Sequence, residues 1–367
     1  MKTLRNLSIS ALILLLVAAC GGTSTEPPPT SPDELTSRID EDVAAFSSLA
    51  TTALNQSATA ASLQGLQQLP TPPVSASLNL LGDNLRTLQD SALPRGSYTY
   101  DAGTGTWNEA SSANLVLSWP FQNPDGSSST AELTIDWDDG SSTVVVDDGF
   151  ETVEVPTSAS ITHRVDGSQV LDFDLDAAWY NASGCGTSDG IAEPTSLDLN
   201  GSVNDAGSSL SLDIGVVNSG SDIATDGDIT TTVGSDSASI TWDVSVSGQR
   251  QRDSDCFTSD FSVDSGRIEF GASSTVGGQS SSLGFEVDFD NIVLTNGVLE
   301  SVDLSNGQIS VDGQTAASFS GTLDDSNDNG VPGENVTVTV GSNTTDLEAI
   351  LMGVEMASTA LRALSAF

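Results

Sequence analysis

Apolar residues recur along this chain with two different periods. Leu35, Ile39, Val43, Phe46 and Ala50 or Leu54 return every three or four residues, which lines one face of a helix. Ser31 and Glu34 have capping-box spacing, Pro32 suits the first helical position, and Asp33 complements the positive end of the dipole. Pro70, Pro72 and Pro73 break the pattern, and a second stripe of Leu78, Leu81, Leu85 and Leu88 follows, interrupted by Gly82. From Tyr98 to about Val340 the period falls to two. Phe173, Leu175, Ala177 and Trp179 alternate with Asp172, Asp174 and Asp176. Leu210 to Val216, Ile240 to Val246 and Phe285 to Phe289 repeat the rhythm of strands with one dry and one wet face. Asp139-Gly140, Asp148-Gly149, Asp166-Gly167, Asn200-Gly201, Asn296-Gly297 and Asn306-Gly307 read as hairpin turns between them. Near the end, Leu347, Ile350, Leu351, Val354, Leu361 and Leu364 restore the helical period behind a second capping box at Thr345 and Glu348.

These shifts predict a mainly β fold, with a large curved antiparallel meander sheet of about fifteen strands capped by N-terminal and C-terminal helices. The expected divisions are a helical segment over 32–93, an antiparallel β domain over 94–341 and a helix over 344–367 packed on that domain. Trp179 followed by Cys185, and Trp242 followed by Cys256, form an internal echo that hints at a duplicated sheet. An outer-membrane barrel is set aside, because lipid-facing strands need an aromatic girdle and the chain has only three Tyr.

The first nineteen residues read as a secretory signal: Lys2 and Arg5, then an apolar run too short to span a bilayer, then Ala18 and Ala19. The string Leu16-Val17-Ala18-Ala19-Cys20 resembles the lipobox of bacterial lipoproteins. That resemblance implies cleavage before Cys20, a covalent diacylglycerol on its sulfur, and a membrane as partner. Residues 20–31 form a Pro/Thr/Ser tether of the kind lipoproteins carry. Each buried acyl methylene adds about 0.8 kcal/mol to anchoring. Gly21 is not the Asp that retains enterobacterial lipoproteins at the inner membrane, which favours an outer-membrane destination where the host has one.

Export reshapes the reading of charge and cysteine. The formal charge is -41, and loss of Lys2 and Arg5 leaves 8 Arg against 51 acids, or -43, with no lysine. Such a chain repels nucleic acid and attracts cations, divalent ions among them. With Cys20 taken by lipid, Cys185 and Cys256 are the two thiols left, and one disulfide between them is expected in an oxidising compartment.

Catalytic chemistry is thinly represented. The single histidine, His163, lies on an expected strand with no nucleophile motif near it, and one His with two Cys cannot assemble an ordinary zinc site. No Gly-rich phosphate loop runs from a strand into a helix. Among 51 acids, a pair of carboxylates carries no information about glycoside hydrolysis. Asp325, Asn327, Asn329 and Gly330, however, resemble the D-x-[DN]-x-[DN]-G calcium motif. Val336 replaces the bidentate Glu of an EF-hand and a strand follows, so the likeness is to the shortened calcium loops of secreted bacterial proteins. It implies ligation by Asp325, Asn327, Asn329, the carbonyl of Val331, and Glu334, with Asp324 and Asp328 as other candidate carboxylates. The sequence therefore points to a non-catalytic, lipid-anchored envelope protein. The leading role is a binding or carrier module for an apolar ligand, and the alternative is a structural or surface protein stabilised by calcium. A hydrolase stands behind both.

Overall fold

The computed structural model describes residues 29–54, 57–71, 95–123, 125–137, 143–147, 152–180, 190–205, 207–252, 258–295, 298–324, 326 and 332–353. The signal, the stripe from Leu78 to Leu88, and Val354 to Leu364 lie outside them. The fold is mainly β, with eighteen strands and three helices among the described residues. It forms two compact units, one of residues 1–53, 219–251 and 259–367, the other of residues 54–218 and 252–258.

Helix α1 (Pro32–Leu54) opens the first unit. Ser31 caps it as expected, its hydroxyl accepting from the Glu34 N–H at 3.3 Å. Glu34 does not close the reciprocal half of the box on Ser31. Its carboxylate reaches one residue further back and accepts from the Thr30 N–H at 2.9 Å and the Thr30 hydroxyl at 3.1 Å.

The second unit follows in sequence. It comprises α2 (Ser57–Gln67) and ten strands: β1 (Gly96–Asp101), β2 (Thr106–Ala110), β3 (Leu115–Gln122), β4 (Ser128–Asp136), β5 (Thr143–Asp147), β6 (Thr152–Pro156), β7 (Ser158–Val165), β8 (Ser168–Tyr180), β9 (Gly190–Asp205) and β10 (Ser208–Ser219). Its strands pair in the order β2-β1-β3-β4-β7-β8-β9-β10, and the β5–β6 hairpin joins through β5 and β9. Most pairs are antiparallel, but β1 with β3 and β5 with β9 are parallel, so the sheet is mixed where an antiparallel meander was expected. The reason for the first is that β1 and β2 form a hairpin and the chain then returns along the other side of β1. The core packs Leu115, Leu117, Trp119, Phe121, Leu133, Ile135 and Trp137 under Ala61, Leu66 and the following Leu69.

The chain then completes the first unit with β11 (Asp222–Val233), β12 (Asp236–Arg252), β13 (Thr258–Val276), β14 (Gln279–Thr295), β15 (Val298–Val311), β16 (Gln314–Leu323), β17 (Val336–Val340), β18 (Asn343–Asp346) and α3 (Leu347–Gly353). Here the strands run as an antiparallel meander in which each neighbours the next. The alternation works as read. Ile240, Phe270, Leu283, Val287, Ile309, Phe319, Val336, Val338 and Val340 face inward and pack with Leu35, Ile39 and Leu49 of α1 and Leu347 and Ile350 of α3. The C-terminal cap departs from expectation by one residue. Thr345 pairs with Val338 in the β17–β18 ladder, so Asp346 takes the cap, its carboxylate accepting from the Ala349 N–H at 2.7 Å.

Two expected turns are strand interior. Asp166-Gly167 does reverse β7 into β8, with both residues at positive φ. Asn200-Gly201 instead lies within β9, where a Cβ on Gly201 would fall inside the Phe173 ring. Asn306-Gly307 lies within β15 at a register shift, with Gly307 against the Phe319 ring. The glycines there admit an aromatic face rather than a chain reversal. Asp139-Gly140, Asp148-Gly149 and Asn296-Gly297 lie outside the described residues.

Candidate functional site

Of the residues to which the sequence assigned chemistry, Cys20, Cys185, Cys256, Asp325, Asn327, Asn329 and Val331 lie outside the described residues.

The calcium-like loop joins β16 to β17, and its base is closed. The Gly333 N–H donates to the Asp324 carbonyl at 3.0 Å. The Asn335 side-chain amide donates to both Asp324 carboxylate oxygens, at 2.9 and 3.1 Å. Glu334 accepts from the Ser326 hydroxyl at 2.8 Å. Asp324 is thus engaged in closing the loop, and Glu334 is tied across it. Among the described residues, no three His, Cys, Asp or Glu side chains gather closely enough to hold a metal.

The two cysteine-bearing segments leave from neighbouring points. Tyr180 ends β8 five residues before Cys185, and Arg252 ends β12 four residues before Cys256. The Arg252 guanidinium carbon sits 3.9 Å from the centre of the Tyr180 ring, a cation–π contact. Residues 252–258 accordingly belong to the same compact unit as β8, although β12 and β13 on either side of them are mostly in the other. Spacing alone could not find this contact, because Tyr180 and Arg252 are set side by side only by the fold.

His163 is where sequence reasoning missed most. It lies on β7, between Leu133 of β4 and Leu171 of β8, and is fully buried. Its Nδ1 is 2.6 Å from the hydroxyl of Ser62 on α2, itself 2 % exposed. The ring stacks on Trp119, whose indole N–H donates to the Gly65 carbonyl one turn further along α2. His163 Nε2 meets no hydrogen-bonding group among the described residues. Burial pushes its pKa down to about 4, so the imidazole is neutral near pH 7. A serine hydroxyl on an imidazole nitrogen is the first contact of a nucleophile–base pair. Both groups are buried, and the pair pins helix to sheet.

The wet faces carry the charge. Asp226 stands directly opposite Asp243, and Asp290 opposite Asp303. Arg267 gathers three carboxylates from two strands: Glu269 beside it on β13, Glu286 at 2.9 Å and Asp288 at 3.0 Å on β14. Asp288 is held below the ordinary carboxylate range, first by the Asn306 amide and then by Arg267. A shallow cavity of about 370 Å³ opens between α1 and the β18–α3 junction, lined by Pro32, Asp33, Asp40, Thr345 and Ile350 among others. Burial raises the pKa of Asp40 there, and one of its carboxylate oxygens has no hydrogen-bond partner among the described residues. None of the described helices is long and apolar enough to cross a membrane.

No family model, curated protein or solved structure matches this chain.

Proposed function

We propose that this chain is a lipid-anchored cell-envelope protein that displays an acidic, non-catalytic β scaffold with a structural role at the surface. The observation that carries the reading is the filling of the dry sheet faces by the chain's own helices. Leu35, Ile39, Leu49, Leu347 and Ile350 cover the meander, and Ala61 and Leu66 cover the mixed sheet. An apolar guest needs that same surface, so its occupation by helices favours a scaffold over a container. The lipobox ending in Cys20 supports the anchor, and Gly21 favours the outer membrane where the host has one. The closed base of the 324–335 loop suits a calcium clamp that stiffens the scaffold.

A second reading, a carrier of an apolar ligand, is favoured by the cavity beside Asp40 and Ile350, whose size lies at the lower end for ligand sites. Two measurements separate the possibilities. Cys20→Ala is expected to abolish lipid labelling and release the protein from the membrane fraction. A variant that stays membrane-bound after high-salt washing overturns the anchor. A native mass spectrum of the released protein is expected at the apo mass, and a co-purifying lipid adduct overturns the scaffold in favour of the carrier.

A further inference from the structure

Thr30 lies between the proposed anchor and α1, and the structure fixes where it sits. The Thr30 carbonyl accepts from the Asn343 side-chain amide at 2.8 Å, and Glu34 holds the Thr30 N–H and hydroxyl. A Cβ on Gly341 would lie 3.3 Å from the same carbonyl. The tether therefore leaves the fold at the β17–β18 turn.

That turn shares one end of the meander with every other tight reversal on its side. Val340 pairs with Asn343, Val311 with Gln314, Val276 with Gln279 and Val233 with Asp236, and the registers between successive strands bring all four reversals to the same end. The surface near this end is hydroxyl-rich. Thr230 faces Ser239, Ser273 faces Ser282, Ser310 faces Thr315, and Thr339 lies between Ser318 and Thr344. Its turn carboxylates are engaged: Asp236 accepts from the Gly277 N–H at 2.9 Å and Asp312 from the Ser282 N–H at 3.1 Å. Glu34 also lies at this end, bonded to Thr30, but acids crowd the far half, with Asp222, Asp226, Asp243, Asp264, Asp290 and Asp303 among them.

We infer that this end of the meander, carrying the 234–235, 277–278, 312–313 and 341–342 turns, faces the lipid headgroups, and that the acidic end with the 324–335 loop is held away from them. The inference rests on the lipid anchor at Cys20. Ten residue-to-residue steps lead from Cys20 to Thr30, and at ~3.3–3.6 Å each they reach at most about 35 Å. Strand β11 alone has 12 residues and β14 has 17, so at ~3.3 Å per residue the meander is roughly 40–55 Å long. An inverted protein would lift Thr30 beyond the reach of its own tether. Charge favours the same orientation, because an anionic leaflet repels carboxylates within about a Debye length, ~8–10 Å.

Energy transfer tests the orientation on the lipidated full chain in phosphatidylcholine–phosphatidylglycerol vesicles carrying a headgroup acceptor dye. The donor is attached through an azide side chain at Ser235 or at Ser221, exposed positions flanking opposite ends of β11. Transfer is expected to be several-fold stronger from Ser235. Equal transfer, or stronger transfer from Ser221, overturns the orientation while leaving the anchor standing. Failure of the lipidated chain to bind vesicles any better than Cys20→Ala overturns both.

Discussion

Ser62 Oγ lies 2.6 Å from His163 Nδ1, so one hydrogen bond pins α2 to β7 across 101 residues of sequence. Among the described residues no charge complements an imidazolium there: α2 has no ionisable residue, and Leu133 and Leu171 flank the histidine on either strand. The pKa falls from 6.5 to about 4 through burial, so as pH drops the unfolded chain takes up this proton first. Stability from the neutral ring is complete above pH 6.5, declines through the interval, and has been lost by about pH 4. The loss amounts to at most about 3 kcal/mol. Urea unfolding at pH 7 and pH 5 is expected to show a steeper decline in wild type than in His163→Leu, whatever the absolute stability of the variant. Identical slopes would mean the histidine does not titrate with folding.

The contact of Tyr180 with Arg252 is compatible with the disulfide expected between Cys185 and Cys256, both of which lie outside the described residues. That contact starts the Cys185 and Cys256 segments from one place, so few residues need to be spanned on either side. Closing a loop of about 70 residues stabilises the fold by roughly 4 kcal/mol in the chain-entropy model. Alkylation of unreduced, denatured protein is expected to find no free thiol on the mature chain beyond any left on unlipidated Cys20. Two further reactive thiols would sink the bridge. Arg252→Ala is expected to leave the disulfide intact and lower stability by about 1 kcal/mol through loss of the cation–π contact.

Calcium at the 324–335 loop is expected to bind weakly, with Kd on the order of 10⁻⁴ to 10⁻³ M, because Val336 stands where a bidentate Glu would complete the shell. Millimolar calcium then adds only about 0.4–1.4 kcal/mol by mass action. Calorimetry on wild type and Asp325→Ala is the check. Equal uptake by both would move the ion to another part of the acidic surface, and no uptake by either would leave the loop a plain connection.

Much of this architecture was legible in the sequence, for reasons that particular residues make plain. Period-two alternation survives wherever one sheet face is wet, so Phe173 to Trp179 and Ile240 to Val246 announce their strands. Asn-Gly is more ambiguous. It suits a hairpin turn, but it equally suits a point where an aromatic ring lies flat on the backbone, and nothing beside Asn200 or Asn306 in sequence reveals Phe173 or Phe319. Thr345 misled in a different way, since a capping box says nothing of the strand register that claims its first residue. The Ser62–His163 bond lay beyond local pattern altogether: a serine in a run of small helical residues gives no sign of a partner 101 positions away. The division into two units was equally silent, because its boundaries near 53 and 218 fall without a Pro- or Gly-rich linker.

That division has a consequence in time. All ten strands of the second unit lie between α1 and β11 in sequence, so the helix that covers the meander is made long before the meander exists. A chain that emerges N-terminus first makes those ten strands while α1 waits with Leu35 and Ile39 uncovered. Asn343 reaches Thr30 only after 313 residues have passed. Closure of the first unit therefore awaits delivery of its last strands. In that interval the exposed α1 stripe is the surface most in need of a chaperone.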